Sequence, residues 1–197
     1  MIAPWFPTPM YISEITGDAF DSVQTELMAA YQKTLPSMSK NPKWERDTHS
    51  LSDITFSRNL LRELDCQKTM DAIGTHVGAY IAGLGLAHCE WTTLSSWITQ
   101  TRQHEFARAH AHIGADIAGV YYLDTNGEDG NLYFKSPNAL LMHSFLAHNI
   151  PNEHEIIPKT GKIALWPAYL EHGTRTNTTE HDRLSISFNI VIKRPWA

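Results

Sequence analysis

Two periodicities divide the chain. In "GDAFDSVQTELMAAYQKT", Phe20, Val23, Leu27 and Tyr31 recur at near-helical spacing, and Pro36 ends the segment. A second apolar stripe, Leu60, Leu61, Leu64, Met70, Ile73, Val77 and Ile81, predicts another helix, which Gly83 and Gly85 break. Between them, "PSMSKNPKWERDTHS" is polar and Pro-interrupted, so Pro36 to about Ser57 reads as a long surface connection. Residues 1–90 are therefore expected to be largely helical.

From Trp91 the period shortens. "TTLSSWITQT", "IAGVYYLD", "GNLYFKSP", "GKIALWPA" and "RLSISFNIVI" are short, rich in β-branched and aromatic residues, and bounded by Asn, Gly, Asp and Pro. That is the signature of antiparallel strands, about eight of them, closing a barrel or sandwich. The Asn-Gly pair in "DTNGEDGN" predicts a hairpin that carries Tyr122 and Leu132 on its two arms. Residues 91–197 thus form a mainly β core supported by N-terminal helices, and 1–197 reads as a single domain.

Composition narrows the function classes. Hydrophobic residues at 42% and charged residues at 19% describe an ordinary soluble globular chain. A net charge of -5 and the lack of any Lys/Arg cluster disfavour a nucleic-acid partner. Two cysteines, Cys66 and Cys89, without a CxxC pair suggest a reducing compartment. With no leader-like start and no run of about 18 apolar residues, a cytoplasmic location and no membrane partner are expected.

The candidate chemistry begins in "ARAHAHIGADIAGVYYLD". His110 and His112 stand one residue apart at the mouth of a strand, and an extended chain turns such a pair to the same side. His172 follows the strand "KIALWP", sixty residues after His112, so only the folded barrel could bring it to the pair. Three imidazoles suit Fe(II), Zn or a similar divalent ion and leave coordination positions open. Eleven residues after His172, Arg183 shares one face of "RLSISFN" with Ser185 and Ser187. A guanidinium inside an apolar barrel is expensive to bury unless it meets an anion, and it binds a carboxylate through two parallel hydrogen bonds.

The order HxH, "GVYYL", "GNLYF", a G-x-x-x-L-[F/W]-P strand, His and then Arg-x-Ser-x-Ser-Phe-Asn resembles the iron- and 2-oxoglutarate-dependent oxygenases, specifically the group found in marine bacteria and their phages. "APWFPTPMY" is similar to that group's opening. The resemblance implies a double-stranded β-helix, the cupin-like jelly roll. It further implies Fe(II) held at the positions of His110 and His172, and 2-oxoglutarate anchored by Arg183 with help from Tyr122 and Ser185. The activity implied is hydroxylation coupled to oxidative decarboxylation of 2-oxoglutarate to succinate, with no catalytic residue beyond the metal ligands. A phage-encoded protein acting in a host cytosol would fit the same resemblance.

One departure matters. The carboxylate usual in HxD is replaced by His112, so the metal set is His110, His112 and His172. Three neutral ligands leave an ion its full charge, which favours a dianionic cosubstrate. Asp116 has the right parity to contribute but lies roughly 13 Å from His112 along an extended chain, unless Gly114 folds the chain back. With that fold-back, "HAHIGAD" also resembles the first cupin motif. This gives an alternative in which His110, His112, Asp116 and His172 hold a metal in a dioxygenase or isomerase without 2-oxoglutarate. A non-enzymatic binding or structural barrel, its tryptophans forming a groove, is the third reading. Arg183 favours the oxygenase. The substrate, a small molecule or a peptide, is not legible in the sequence, and a homodimer is compatible with it.

Overall fold

The computed structural model describes residues 7–40, 50–51, 58–138, 143, 145 and 151–193. The alternating segment RLSISFNIVI forms a strand, Arg183–Ile192, at the middle of a seven-stranded sheet. In chain order the elements are β1 (Tyr11–Glu14), α1 (Gly17–Thr34), a 3-10 turn (Leu35–Ser37), β2 (Ser39–Lys40), β3 (Ser50–Leu51), α2 (Leu60–Glu63) and α3 (Gln67–Gly83). Then follow β4 (Trp91–Thr101), β5 (Ile117–Asp124), β6 (Leu132–Lys135), β7 (Glu153–Ile156), β8 (Lys162–Pro167), β9 (His172–Thr174) and β10 (Arg183–Ile192). The large sheet runs β1-β8-β5-β10-β4-β3-β2, and a second sheet runs β7-β6-β9.

The period of two sorts β10 into two faces. Leu184, Ile186, Phe188 and Ile190 join Val23 and Leu27 of α1 and Ile73, Val77 and Ile81 of α3 in one core. The helices thus cover the outer face of the large sheet. The other face looks into the space between the sheets, where Ala118, Val120 and Tyr122 of β5 and Ala164 and Trp166 of β8 meet Leu132 and Phe134 of β6 and Ile156 of β7. Gly119 makes room for its two cross-strand neighbours on the helix-covered face, because a Cβ there would lie 2.4 Å from the Phe188 ring and 2.6 Å from the Leu165 side chain.

Several expectations are corrected. The expected hairpin is absent: Tyr122 pairs with Ser185 across β5 and β10, while Leu132 pairs with Ile156 and Thr174 in the other sheet. The Asn126-Gly127 segment is instead a corner between sheets. Its organiser is the fully buried Asp129, whose carboxylate accepts from Thr125 Oγ1 (2.6 Å) and the Asn126 amide (2.9 Å). The N-terminal portion holds the three α-helices and adds a strand, with Tyr11 opposite Leu165. The expected connection from Pro36 to Ser57 contributes two short strands, with Ser50 and Leu51 paired to Gln100 and Thr99; residues 41–49 and 52–57 lie outside the described set. The second apolar stripe is two helices, because Asp65 adopts a left-handed conformation (φ 53°) between them. Residues 91–197 supply seven strands, and the N-terminal portion supplies the other three of the described ten. Cys66 and Cys89 are free thiols, and no described helix is long and apolar enough to cross a membrane.

Candidate metal centre

The segment 107–112 extends the small sheet by pairing with β9. His110 donates its amide to the His172 carbonyl (2.8 Å) and accepts from the His172 amide (2.9 Å); the Thr174 amide reaches Ala107 O (2.8 Å). Gly173 permits this contact, since a Cβ there would stand 2.6 Å from Ala107 O and 2.9 Å from Ala109 N. Beyond His112, whose amide donates to Ala168 O (2.9 Å), the chain turns at Gly114 (φ 94°) and enters β5.

These backbone constraints bring the three predicted imidazoles together, with one ring nitrogen from each of His110, His112 and His172 within 4.8 Å of the others. His172 is buried, while His110 and His112 are half-buried at the cavity side. Each Nδ1 faces an oxygen: Arg108 O for His110 (2.8 Å), Asn189 Oδ1 for His112 (2.6 Å) and Leu170 O for His172 (2.8 Å). A carbonyl oxygen can only accept, so each Nδ1 carries the hydrogen and each Nε2 keeps its lone pair. Trp166 Nε1 also lies 3.2 Å from His172 Nδ1, but that nitrogen is committed as a donor to Leu170. The indole therefore packs on the imidazole edge-on, with ring centroids 4.8 Å apart.

The donor set fits a divalent ion. His110 Nε2 and His112 Nε2 are 3.1 Å apart with both hydrogens on the far side of the rings, so two lone pairs face one another. A cation between them removes that repulsion. Burial, followed by the His110 charge, lowers the His112 pKa to about 4, and the same causes hold His172 well below its ordinary value. Both rings are thus neutral and ready to ligate near pH 7. Outer oxygens that orient a ligating imidazole through its second nitrogen are a general feature of metal sites.

Arg183 lies on the same inner face of β10 as Asn189, six residues away, or roughly 20 Å along the strand. It is 2% exposed, and its Nη1 donates to Asp129 O (2.9 Å) and to Gly130 O, while Nη2 donates to Thr101 Oγ1 (3.2 Å). None of these partners is a carboxylate, so the rim salt bridge to Asp182 or Glu180 that its sequence neighbours would allow does not form. Burial lowers the Arg183 pKa, with Tyr122 and Asp129 opposing, yet a guanidinium stays charged in proteins. Tyr122 and Ser185 are buried cross-strand partners on this face. Burial pushes the Tyr122 phenol up to about 12, so it is a hydroxyl donor at neutral pH. The large sheet therefore presents a cation and two hydroxyls at one end of the inner space, and β9 with the 107–112 segment presents the histidines towards the other.

Other candidates are placed elsewhere. Gly114 does fold the chain, but Asp116 Oδ2 accepts from the Ile192 amide (2.7 Å) and the residue stands outside the histidine cluster, against the four-ligand cupin arrangement. Asn131 donates to Glu155 on the exposed side of the small sheet, and Glu171 pairs with Lys135. His143 and His154 are exposed, and His148 lies outside the described residues. The sequence points to no role at the metal for Asn189, Ser95 or Trp97; Trp97, a groove residue in the non-enzymatic reading, has its ring 5.8 Å from that of His112. Asn189 was visible at the end of Arg-x-Ser-x-Ser-Phe-Asn, on the parity of Arg183, and that parity was the available signal. A cavity of about 460 Å3 opens over the histidines, lined by Leu94, Ser95, Arg108, Ile113, Ala115 and Asn189 among others.

Residues 95–189 match the model of the family described as "Putative 2OG-Fe(II) oxygenase". The matched stretch runs from β4 to β10 and contains all three histidines and Arg183. Solved structures of the same fold include a Pseudomonas putida prolyl-4-hydroxylase (14% identity, 92% of each chain covered, TM-score 0.62). HygX from Streptomyces hygroscopicus, with nickel, 2-oxoglutarate and hygromycin B bound, is similar over 93% of this chain and 83% of that one (14% identity, TM-score 0.61). A Trichoplax adhaerens prolyl hydroxylase in complex with a hypoxia inducible factor peptide is similar over 92% and 83% (12% identity, TM-score 0.62). No curated protein matches the sequence. The double-stranded β-helix expected from the resemblance is thus the fold of this chain, and HygX, on that fold, has been crystallised with nickel and 2-oxoglutarate and with iron.

Proposed function

We propose that the chain is an Fe(II)- and 2-oxoglutarate-dependent hydroxylase in which His110, His112 and His172 hold the metal. The observation that carries this reading is the convergence of three Nε2 lone pairs, each fixed by an Nδ1–H bond to an oxygen. When bound, Fe(II) and 2-oxoglutarate supply O2-dependent hydroxylation of a substrate C–H bond, with one oxygen atom entering the product and the other entering succinate as CO2 is released.

The protein's part is placement. Arg183 binds the carboxylate of 2-oxoglutarate remote from the keto acid, Tyr122 and Ser185 donate hydroxyl hydrogen bonds to it, and the cavity over His110 and His112 admits substrate. Asp129 and Gly130 hold the guanidinium in place through their main-chain carbonyls, with no carboxylate bonded directly to it. The buried inner face excludes water, which strengthens each of these charge-assisted bonds. The substrate is a small molecule or a peptide. HygX with hygromycin B and the Trichoplax enzyme with its peptide illustrate both classes on this fold. We place the activity in the cytoplasm and treat 1–197 as one functional domain, with residues 1–90 bracing the β core.

Anaerobic titration of the metal-free protein with Fe(II) and 2-oxoglutarate tests the reading. A weak visible charge-transfer band that saturates at one equivalent is the expected result. Tight zinc binding with no such band would favour a cupin-type metalloprotein, and no stoichiometric metal at all would favour a non-enzymatic barrel.

A further inference from the structure

We propose that Asn189, set by Ser95, is the positioning residue that makes His112 a metal ligand where a carboxylate is usual. The inference rests on the three-histidine site proposed above and adds what holds its unusual member in the ligating form.

His112 could present either of two neutral tautomers, and only one serves a metal at Nε2. Asn189 Oδ1 lies 2.6 Å from His112 Nδ1 and accepts its hydrogen, which leaves the Nε2 lone pair aimed at His110 and His172. The opposite amide orientation would turn an N–H donor towards Nδ1, move the imidazole hydrogen to Nε2 and point it into the cluster. On its other side Asn189 Nδ2 donates to Ser95 Oγ at 3.0 Å, which holds the amide plane in line with His112, while a metal at Nε2 selects the orientation that turns Oδ1 towards Nδ1. Asn189 is 6% exposed and Ser95 1%, so water does not readily substitute for either bond.

The backbone is arranged for this contact. Asn189 and Ser95 are direct partners across β10 and β4, and the register shifts immediately afterwards, with Ile190 opposite Thr93. Leu94 is the extra residue of that bulge. It is displaced to the rim of the cavity, while Ser95 stays beside Asn189. Bulges commonly re-aim a side chain next to a site, and this one lies at the end of β4 and β10 nearest His112. The other two imidazoles take their Nδ1 acceptors from backbone carbonyls of Arg108 and Leu170, each two residues upstream. Only His112 depends on a distant side chain, seventy-seven positions away.

The test is anaerobic Co(II) titration of the full chain, read by the visible d–d bands, alongside thermal melting of each metal-free variant. Asn189→Leu, which keeps the size and removes the acceptor, should weaken Co(II) binding by about 10–100-fold and change the band shape. Asn189→Asp, which keeps an acceptor towards Nδ1, should stay within about threefold of wild type. In a His112→Ala background, the Leu substitution should cost no further affinity, because the two residues act as one unit. Equal affinity for wild type and Asn189→Leu, an Asp variant as weak as the Leu variant, or additive losses in the double variant would each overturn the inference. Should the Leu variant fail to melt cooperatively, Asn189→Ala takes its place with the same expectations. Wild-type protein that binds no Co(II) would instead overturn the three-histidine site itself.

Discussion

His110 and His172 exchange both of their backbone hydrogen bonds, at 2.8 and 2.9 Å, although sixty-two positions separate them. Two ligands of the proposed metal are therefore adjacent because of main-chain pairing rather than side-chain packing. This matters for precision. A side chain can adjust through its rotamers, whereas a reciprocal backbone pair sets the two Cα positions and leaves the imidazoles little freedom, with ring centroids 4.6 Å apart.

Gly173 is the residue on which that pairing depends. Gly173→Ala would place a Cβ 2.6 Å from Ala107 O, a backbone atom that cannot rotate away. The segment 107–110 must then shift outward by several tenths of an ångström. We expect a loss of about 1–3 kcal/mol in stability, typical of overpacking, and a fall of about tenfold or more in metal affinity, as seen when metal-site support is disturbed. Denaturant melts and Co(II) titration read the two effects separately. Unchanged metal affinity would show that the β9 pairing is not what positions His110.

Arg183→Lys tests the cosubstrate anchor with the charge retained. A lysine ammonium is a point charge and lacks the planar fork that meets two carboxylate oxygens at once. Affinity for 2-oxoglutarate should fall at least about tenfold, while metal affinity stays within about threefold, since Arg183 does not touch the histidines. Arg183→Ala should weaken 2-oxoglutarate further. It also strands the Asp129 and Gly130 carbonyls and should cost about 1–3 kcal/mol in stability. Isothermal titration with 2-oxoglutarate against the metal-loaded variants distinguishes these outcomes, and equal affinity in all three proteins would remove Arg183 from the site.

The metal-free protein should lose stability as the medium is acidified from pH 6.5 towards 4. His112 ionises near pH 4 in the fold against 6.5 when free, and His172 lies well below 6.5. Between those values the unfolded chain binds protons that the native state refuses, so unfolding becomes easier as pH falls. The limiting slope is about 1.4 kcal/mol per pH unit for each such group. His112→Gln should flatten part of that dependence in thermal melts recorded across the range. An unchanged slope would locate the acid sensitivity elsewhere.

How much of this was legible in the sequence follows from the length scale of each cause. Leu184, Ile186, Phe188 and Ile190 announce a strand with one buried face because alternation is local, and the structure packs those four residues against the helices. The same parity put Arg183, Ser185 and Asn189 on the opposite face. Asn126-Gly127 reads as a hairpin in the sequence yet forms a corner between sheets, because a turn signal says that the chain reverses, not which sheet it enters next. That choice is set by buried Asp129 and by Gly130 (φ 100°), whose Cβ would stand 2.3 Å from Arg175 O. The partnership of Asn189 with His112 could not be read at all, because it arises only after β4, β10 and the 107–112 segment have converged.

Asp116→Asn separates the two metal readings that the HxH motif allowed. In a four-ligand cupin-like site, Asp116 would supply an anionic oxygen, and its amide would weaken or abolish metal binding. Here its Oδ2 accepts the Ile192 amide at 2.7 Å, which ties the end of β10 to the start of β5. An asparagine Oδ1 can accept the same hydrogen bond at the loss of one charge. The variant should therefore bind one equivalent of Co(II) with affinity within about threefold of wild type and lose no more than about 1–2 kcal/mol in a denaturant melt. Loss of stoichiometric metal would bring Asp116 back as a ligand, and it would require the Gly114 turn to close further than the Ile192 contact permits.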